Sequence, residues 1–497
     1  MKTLNYKTLE EMDYDGYLLK DAPVRVLQFG EGNFMRGFVD YFIDMMNEKA
    51  GFNTKVTLVQ PIGQGSFRLK DIINDQDGLY TLYLQGFQDG KEVREKRIIS
   101  AVKNCLNAYE DWNEVLDMAA DKDLRIITCN TTEAGIAYDP SCQFTDAPAS
   151  SYPGKLTQFL YRRFQNQLPG FIILACELID NNGKELEKCV LQYAFDWNLG
   201  DEFTAWIKNE NIFCSTLVDR IVTGYPRSEA DSMNAENGYI DQTLDTGEIF
   251  GVWVIEGPQS IYDEIPFREA GLPVIVTDNH KPYKERKVRI LNGAHTSMVL
   301  GAFLAGQDIV RDCMYDPTIS AYMNEAIYNE IIPTLSLSKE DCEKFAHAVT
   351  ERFKNPFIDH ELLAISLNST AKWKARVMPS LLGYVEKFGK LPKALTTSLA
   401  SYIAFYRGSE LGKDGLKSVN PVTKKEYTIK DDAPVLEFYA QNHGKSNEEL
   451  VSLVLSNEEF WGQDLTKVNG LEQAVTEALN TIDEKGAMAA MSECISR

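Results

Sequence analysis

The stretch KVRILNGAH, Lys287 to His295, carries a lysine, an asparagine and a histidine inside a longer apolar segment, RKVRILNGAHTSMVLGAFLAG. These residue types suit the interconversion of an alcohol and a ketone. Taking hydride from a carbinol carbon requires a base for the hydroxyl proton, and the reverse step requires an acid for the ketone oxygen. A lysine serves both directions if its pKa is drawn toward neutrality. Burial, a helix N-terminus and the nearby Lys284, Arg286 and Arg289 all act in that sense. Asn292 and His295 can donate hydrogen bonds to the oxygen as negative charge develops on it. On an α-helix at about 100° per residue, with Lys287 at 0°, His295 falls at roughly 80° and Asn292 at roughly 140°, so the three share less than half the circumference. Apolar residues cover nearly all of the remaining surface, which predicts a buried helix. The plainer alternative is a helix start with solvated cations and a core histidine bonded to a carbonyl. The chain has five histidines and no His, Cys and carboxylate cluster at ligand spacing, so no metal is expected.

A second group of candidates lies near the start of the chain. FGEGNFMRGF places Gly30, Gly32 and Gly37 between a β-branched run and a helical pattern. A glycine turn there lets a diphosphate approach backbone N–H groups at the helix N-terminus, which makes Gly30, Gly32, Asn33 and Phe34 cofactor-binding candidates. The third position of the usual G-x-G-x-x-G pattern is Met35, so the motif alone is weak. At the end of the next run, KVTLVQP, Gln60 stands where an acid commonly meets the ribose. That residue leaves NAD against NADP undecided. Arg68 is a further phosphate candidate, a solvated helix arginine being the plainer reading. CNTTEAGI, Cys129 to Ile136, adds Thr131 and Glu133 as cofactor-binding candidates, with Thr132 between them. Its alternative is a capping box at Asn130 and Glu133 that starts a helix.

Elements that would position these residues are legible as alternating patterns. VRVLQF, KVTLVQ, LRIITCN and GFIILACELI read as strands, with MRGFVDYFIDMMNEK and TQFLYRRFQNQL as helices between them. TLYLQGFQDGKEVREKRIIS reads as a hairpin turning at Asp89-Gly90. Residues 1–22 read as a polar lead-in. From about Pro282 helical periodicity takes over, and GKDGLKSVNPVTKKEYTIKDD reads as a polar linker. The expectation is an α/β Rossmann-type N-terminal domain over 1–280, followed by an all-α substrate-binding and catalytic domain over 281–497. A length of 497 residues accommodates both.

Composition narrows the classes further. A formal net charge of −22 disfavours nucleic acid and anionic membrane surfaces as partners. An anionic substrate would therefore need a local concentration of positive charge. Nine cysteines without a Cys-x-x-Cys pair argue against a disulfide framework. There is no signal-like segment and no run of 18 apolar residues, so a cytoplasmic protein acting on a small molecule is expected. The oligomeric state is not readable.

At these residues a family resemblance emerges. Lys-x4-Asn-x2-His, as Lys287, Asn292 and His295, resembles the signature of the mannitol dehydrogenase family, the polyol-specific long-chain dehydrogenases. GEGNFMRGF resembles that family's Gly-x-Gly-x-Phe-x-Arg turn, and DQDGLYTL, TLVDRIV and RFKNPFIDH are similar to other family blocks. The resemblance spans almost the whole chain. It implies NAD(H) dependence, no metal, Lys287 as general acid and base, and Asn292 and His295 polarising the carbonyl oxygen. NTTEAG and ELIDNNGKEL look most like members that act on ketohexuronic acids. Polyol-oxidising members tend to read Cys-Asp-Asn where this chain has CELIDNNG, with Glu177 and Leu178, which disfavours a plain polyol. For a carboxylate-bearing sugar, Arg352, Lys372 and Arg376 are candidates, a surface ion pair being the alternative for any one of them. The epimeric ketohexuronates and the mannitol or arabinitol class stay open as alternatives. A non-catalytic nucleotide-binding protein on the same scaffold is the rival of another class.

Overall fold

Short β-branched runs alternating with helices build an eight-stranded sheet in this computed structural model, which describes residues 1–63 and 69–495. The chain divides into two compact units, Met1–Gln85 with Val93–His280, and Gly86–Glu92 with Lys281–Arg497. The strands of the first unit's large sheet are β1 (Val24–Phe29), β2 (Lys55–Gln60), β3 (Val102–Asn107), β4 (Ile126–Cys129), β5 (Ile172–Ala175), β6 (Ile212–Asp219), β7 (Val252–Glu256) and β8 (Val274–Thr277). They lie in the order β3-β2-β1-β4-β5-β6-β7-β8. All neighbours from β3 to β6 are parallel, β7 runs antiparallel to β6, and β8 is parallel to β7. The first six strands have the 3-2-1-4-5-6 order of a doubly wound sheet, whose order reverses between β1 and β4.

Both faces of this sheet are covered, so its central strands are continuous apolar runs rather than alternating ones. Val26 and Val56 join Phe38, Phe42 and Trp253 in one cluster, while Leu27 and Phe29 join Phe159 and Phe171 in another. The two-residue strand period sends neighbouring side chains to opposite cores. The four strands read from the sequence are β1, β2, β4 and β5. Strand β3 escapes that reading because Lys103 and Asn104 interrupt its run. The hairpin Tyr80–Gln88 to Lys91–Ile99 turns at Asp89 and Gly90, both with positive φ (50° and 77°), as a two-residue type I′ turn requires.

Two expectations need correction. Residues 1–22 are more than a lead-in: Lys2–Thr3 pairs with Tyr239–Ile240, and the helix Tyr6–Glu11 is capped by Asn5. Leu4 and Leu9, 0% and 1% exposed, anchor this segment in a cluster with Leu79, Ile98 and Tyr239. In the second unit, the supposed linker holds a three-stranded antiparallel sheet, Glu410–Gly412, Gly415–Val419 and Glu426–Ile429. Its Leu416, Tyr427 and Ile429 are buried, so the unit is helix-rich rather than all-helical. The Asp414-Gly415 pair, with Gly415 at φ 137°, was the overlooked turn signal. Among the described residues no helix is long and apolar enough to cross a membrane.

Leu9→Ala should lower the stability of the first unit by about 2 kcal/mol or more, the usual cost of emptying a buried leucine site. Denaturant unfolding checks this, and an unchanged midpoint would return residues 1–22 to the status of a loose leader.

Candidate functional site

The helix bearing KVRILNGAH is built in three parts: Lys281–Arg286 as α-helix, Lys287–Asn292 as one π turn, and Gly293–Leu304 as α-helix. Its backbone stays helical through both junctions, Arg286 and Gly293. The π turn changes the register expected from the sequence. In i→i+5 geometry Lys287 and Asn292 close the same turn, where an ideal α-helix would separate them by about 140°. Asn292 and His295 are then i,i+3 neighbours on the α-helical part. Lys287, Asn292 and His295 thus follow one another along a single stripe.

The helix differs from expectation in two further ways. It starts at Lys281, six residues before Lys287, so the lysine does not sit in the first turn where the macrodipole acts. Lys287, Asn292 and His295 are also only partly buried, whereas Thr296 to Leu304 are almost wholly covered. Nor do the neighbouring cations all gather at the lysine. The Arg286 guanidinium lies 5.2 Å from the Tyr283 ring and 4.5 Å from the Phe345 ring. Arg289 donates to Ser380 Oγ at 2.6 Å and to Thr334 Oγ1 at 3.3 Å, and pairs with Glu285 at 3.8 Å.

His295 lies face to face with Phe353, ring centroids 4.0 Å apart and 16° from parallel, and edge-on to His360 at 5.3 Å. Its Nε2 is shielded from solvent and has no hydrogen-bond partner. Burial, then His360, Arg352, Arg376 and Lys372, hold its pKa well below the ordinary histidine value. A neutral imidazole among cations follows. The charges of the three cations named from the sequence therefore all reach this imidazole. Arg352 comes from the last turn of the helix Lys339–Phe353, while Lys372 and Arg376 come from the helix Ser369–Arg376. Lys372 donates to the Ile365 carbonyl at 2.8 Å, and Arg376 Nη1 reaches Thr296 Oγ1 at 3.5 Å. Burial lowers the pKa of both, Arg376 adding to the effect at Lys372. Gly293 explains the close approach of that helix: a Cβ there would lie 3.1 Å from the Arg376 carbonyl oxygen. His360 was not foreseen, although it lies in the quoted block RFKNPFIDH.

In the first unit, Gly30 sits at φ 116°, and a Cβ there would be 2.6 Å from the Asn130 carbonyl oxygen. Only glycine lets β1 and β4 part at this reversal of strand order. Gly32 caps the next helix, and a Cβ on it would meet nothing within 4 Å. Open space at a backbone that starts a helix fits a diphosphate. That helix also carries a π turn, Arg36–Asp40, between Asn33–Met35 and Tyr41–Ala50. Met35, in the third-glycine position, is buried in the core. Phe34 stacks on Phe38 at 5.2 Å and stays partly exposed. Arg36 was overlooked as a loop organiser: it donates to the Glu31 carbonyl at 3.2 Å and to Asn33 Oδ1 at 2.6 Å, and it also bonds the Thr243 carbonyl. Beneath it, burial pushes Asp40 up to about 8 and Asp245 up to about 7.

Gln60 ends β2 with its amide bonded to Glu31 Oε1 at 3.0 Å. Thr131 leaves β4 with its N–H and hydroxyl both donating to Glu177 Oε1 at 3.0 Å. Glu177 therefore organises this loop from a buried position, a role closer to scaffold than to the substrate selector suggested by the sequence; Leu178 is exposed. The capping-box alternative fails. Residues 133–135 form a turn, Thr132 has φ 69°, and the next helix begins at Tyr152 behind Ser151. Glu133 is exposed on that turn. Arg68 lies outside the described residues. Among the described residues there is no group of three or more His, Cys, Asp or Glu placed to hold a metal.

Comparison with known proteins adds the following. The family model for the mannitol dehydrogenase Rossmann domain matches residues 24–268, and that for the mannitol dehydrogenase C-terminal domain matches 279–483. An altronate oxidoreductase of Enterobacter sp. (strain 638) is 45% identical over 497 residues, covering 98% of this chain and 99% of the relative. One from Escherichia coli O7:K1 (strain IAI39 / ExPEC) is 45% identical over 496 residues with the same coverage. A D-sorbitol dehydrogenase solved in substrate-free form is similar with a TM-score of 0.80 at 22% identity, over 99% of this chain and 100% of its own. Pseudomonas fluorescens mannitol 2-dehydrogenase, solved as a ternary complex with NAD and D-mannitol, gives 0.65 at 23% identity, over 99% of each chain. At such identities the two structures speak to the fold alone.

The His295 ring should stay neutral at pH values where an ordinary histidine has already protonated, as ring NMR titration would show. Because its folded pKa is depressed, its contribution to stability is complete above about pH 6.5 and is lost as pH falls below that value. A His295 resonance titrating near pH 6.5 would remove the neutral-imidazole reading.

Proposed function

Since the chain belongs to the mannitol dehydrogenase family, and is thereby an oxidoreductase acting on a CH–OH group, we propose that it interconverts D-tagaturonate and D-altronate with NAD(H), a step of hexuronate breakdown. One observation carries the substrate class: the gathering of Arg352, Lys372 and Arg376 around a neutral His295. Several positive charges acting on one site attract an anion, and the carboxylate of a sugar acid supplies one where a plain polyol does not. The names of the 45% identical relatives support the same substrate.

The roles follow from residue chemistry. Backbone groups of Gly30, Gly32, Asn33 and Phe34 at the helix start would hold the diphosphate of NAD(H). Gln60, Thr131 and Glu133 stand at the carboxyl ends of β2 and β4, where a doubly wound sheet takes its nucleotide. Bound NADH supplies the hydride that reduces the keto carbon. Lys287 gives its proton to the ketone oxygen in that direction, and takes it from the hydroxyl in the other. The Asn292 amide and the single N–H of neutral His295 donate hydrogen bonds to the oxygen while it carries negative charge. Arg352, Lys372 and Arg376 receive the carboxylate, the arginines offering paired N–H donors.

NADH oxidation measured in parallel with D-tagaturonate, D-fructuronate and D-fructose should be fastest with tagaturonate. Fructuronate as the best substrate would replace the epimer, and fructose would overturn the uronate reading altogether. Lys287→Ala should lose at least ~10²-fold in turnover with cofactor binding kept; near-normal turnover would take the lysine out of the acid–base role. Arg376→Met should raise KM for the uronate by about tenfold or more, equivalent to about 1.4 kcal/mol.

A further inference from the structure

The acid that usually marks an NAD site is missing from its customary place, since β2 ends in Gln60. A carboxylate is nonetheless present there. Glu31, between the two glycines of the loop after β1, has its Oε1 held at 3.0 Å by the Gln60 amide. Gln60 is itself held from the other side, its Oε1 accepting from Asn107 Nδ2 at 3.4 Å. Asn107 ends β3 and is fixed by its N–H to Asp111 at 2.8 Å and by its Oδ1 to the Tyr109 N–H at 2.8 Å. A relay of amides across the ends of β2 and β3 therefore orients a loop carboxylate over the end of β2. Glu31 is partly exposed, and its carboxylate keeps acceptor capacity beyond the bond from Gln60.

We propose that Glu31 is the ribose-binding acceptor of the adenosine half of the cofactor and the residue that excludes a 2′-phosphate, making the chain selective for NAD(H) over NADP(H). In most doubly wound sheets an acid at the end of the second strand accepts from the ribose 2′-hydroxyl. Here the acid comes from the glycine loop, and the strand-end residue is reduced to holding it. A carboxylate accepts hydrogen bonds from hydroxyls and repels a phosphate dianion. Gln60 alone would do the first weakly and the second not at all. The proposal rests on the dinucleotide reading given above.

Direct binding separates the two. NADH and NADPH are titrated calorimetrically into the wild-type protein, Glu31→Gln and Glu31→Lys, with thermal melting to confirm that each is folded. Wild type should bind NADH at least about 100-fold more tightly than NADPH. Glu31→Gln should narrow that ratio at least about tenfold, chiefly through tighter NADPH binding, and Glu31→Lys should narrow it further or invert it. Equal affinities in the wild type, or a ratio unmoved in both folded variants while NADH still binds, would overturn the role of Glu31 alone. Failure of the wild type to bind either dinucleotide would overturn the cofactor reading beneath it.

Discussion

One extra residue in one helical turn sets the register on which the catalytic candidates depend. Were residues 281–304 a uniform α-helix, Asn292 would be turned well away from Lys287. The π turn Lys287–Asn292 brings the two into the same i→i+5 ring, and His295 follows at i+3 on resumed α-helix. π turns are rare within helices and recur at functional sites. A second occupies Arg36–Asp40, directly after the glycine loop. A third, Glu325–Ile331, carries no candidate residue. The first two are tightly packed: Ile290 and Leu291 are buried in one, and Phe38 and Val39 in the other.

Electrostatics acts locally against the composition. A chain with a formal charge of −22 gathers Arg352, Lys372 and Arg376 about one imidazole. Their joint field, added to burial, keeps that imidazole neutral. Under the glycine loop the arrangement has the opposite sign. Arg36 is nearly inaccessible, and the buried carboxyls Asp40 and Asp245 feel its charge while burial drives them toward neutrality. Gln28 joins the network, donating to the Gly30 carbonyl at 3.1 Å and to Asp40 at 3.3 Å. The loop that would meet a diphosphate is therefore supported by side chains which themselves make no claim on the ligand.

Loops of the sheet show how second-row residues decide what the first row presents. Thr131 is held by Glu177 and Gln60 by Asn107. In each pair the sequence singled out the residue at or just after a strand end, because strand ends are recognisable by pattern. The partner lay on a different strand or loop. In sequence Glu177 stands out only as a departure from a family block, which does not reveal that its carboxylate is buried and holds Thr131.

Legible in the sequence are local and chemical features. They comprise the alternating runs that become β1, β2, β4 and β5, the Asp89-Gly90 turn, the two glycines of the loop, and the lysine, asparagine and histidine suited to alcohol–ketone chemistry. These are legible because strand period, turn conformation and side-chain chemistry act over a few residues. The remaining features arise from tertiary packing. It put a π turn where periodicity assumed α-helix, since the choice between them depends on packing around the helix rather than on its own residues. It made a sheet of a polar stretch because Leu416, Tyr427 and Ile429 find a common buried face. It drew cations from two separate helices to His295, and stood Glu31 over the end of a strand that carries no acid. Such arrangements join residues distant in the chain, and their energies arise only when folding brings those residues into contact.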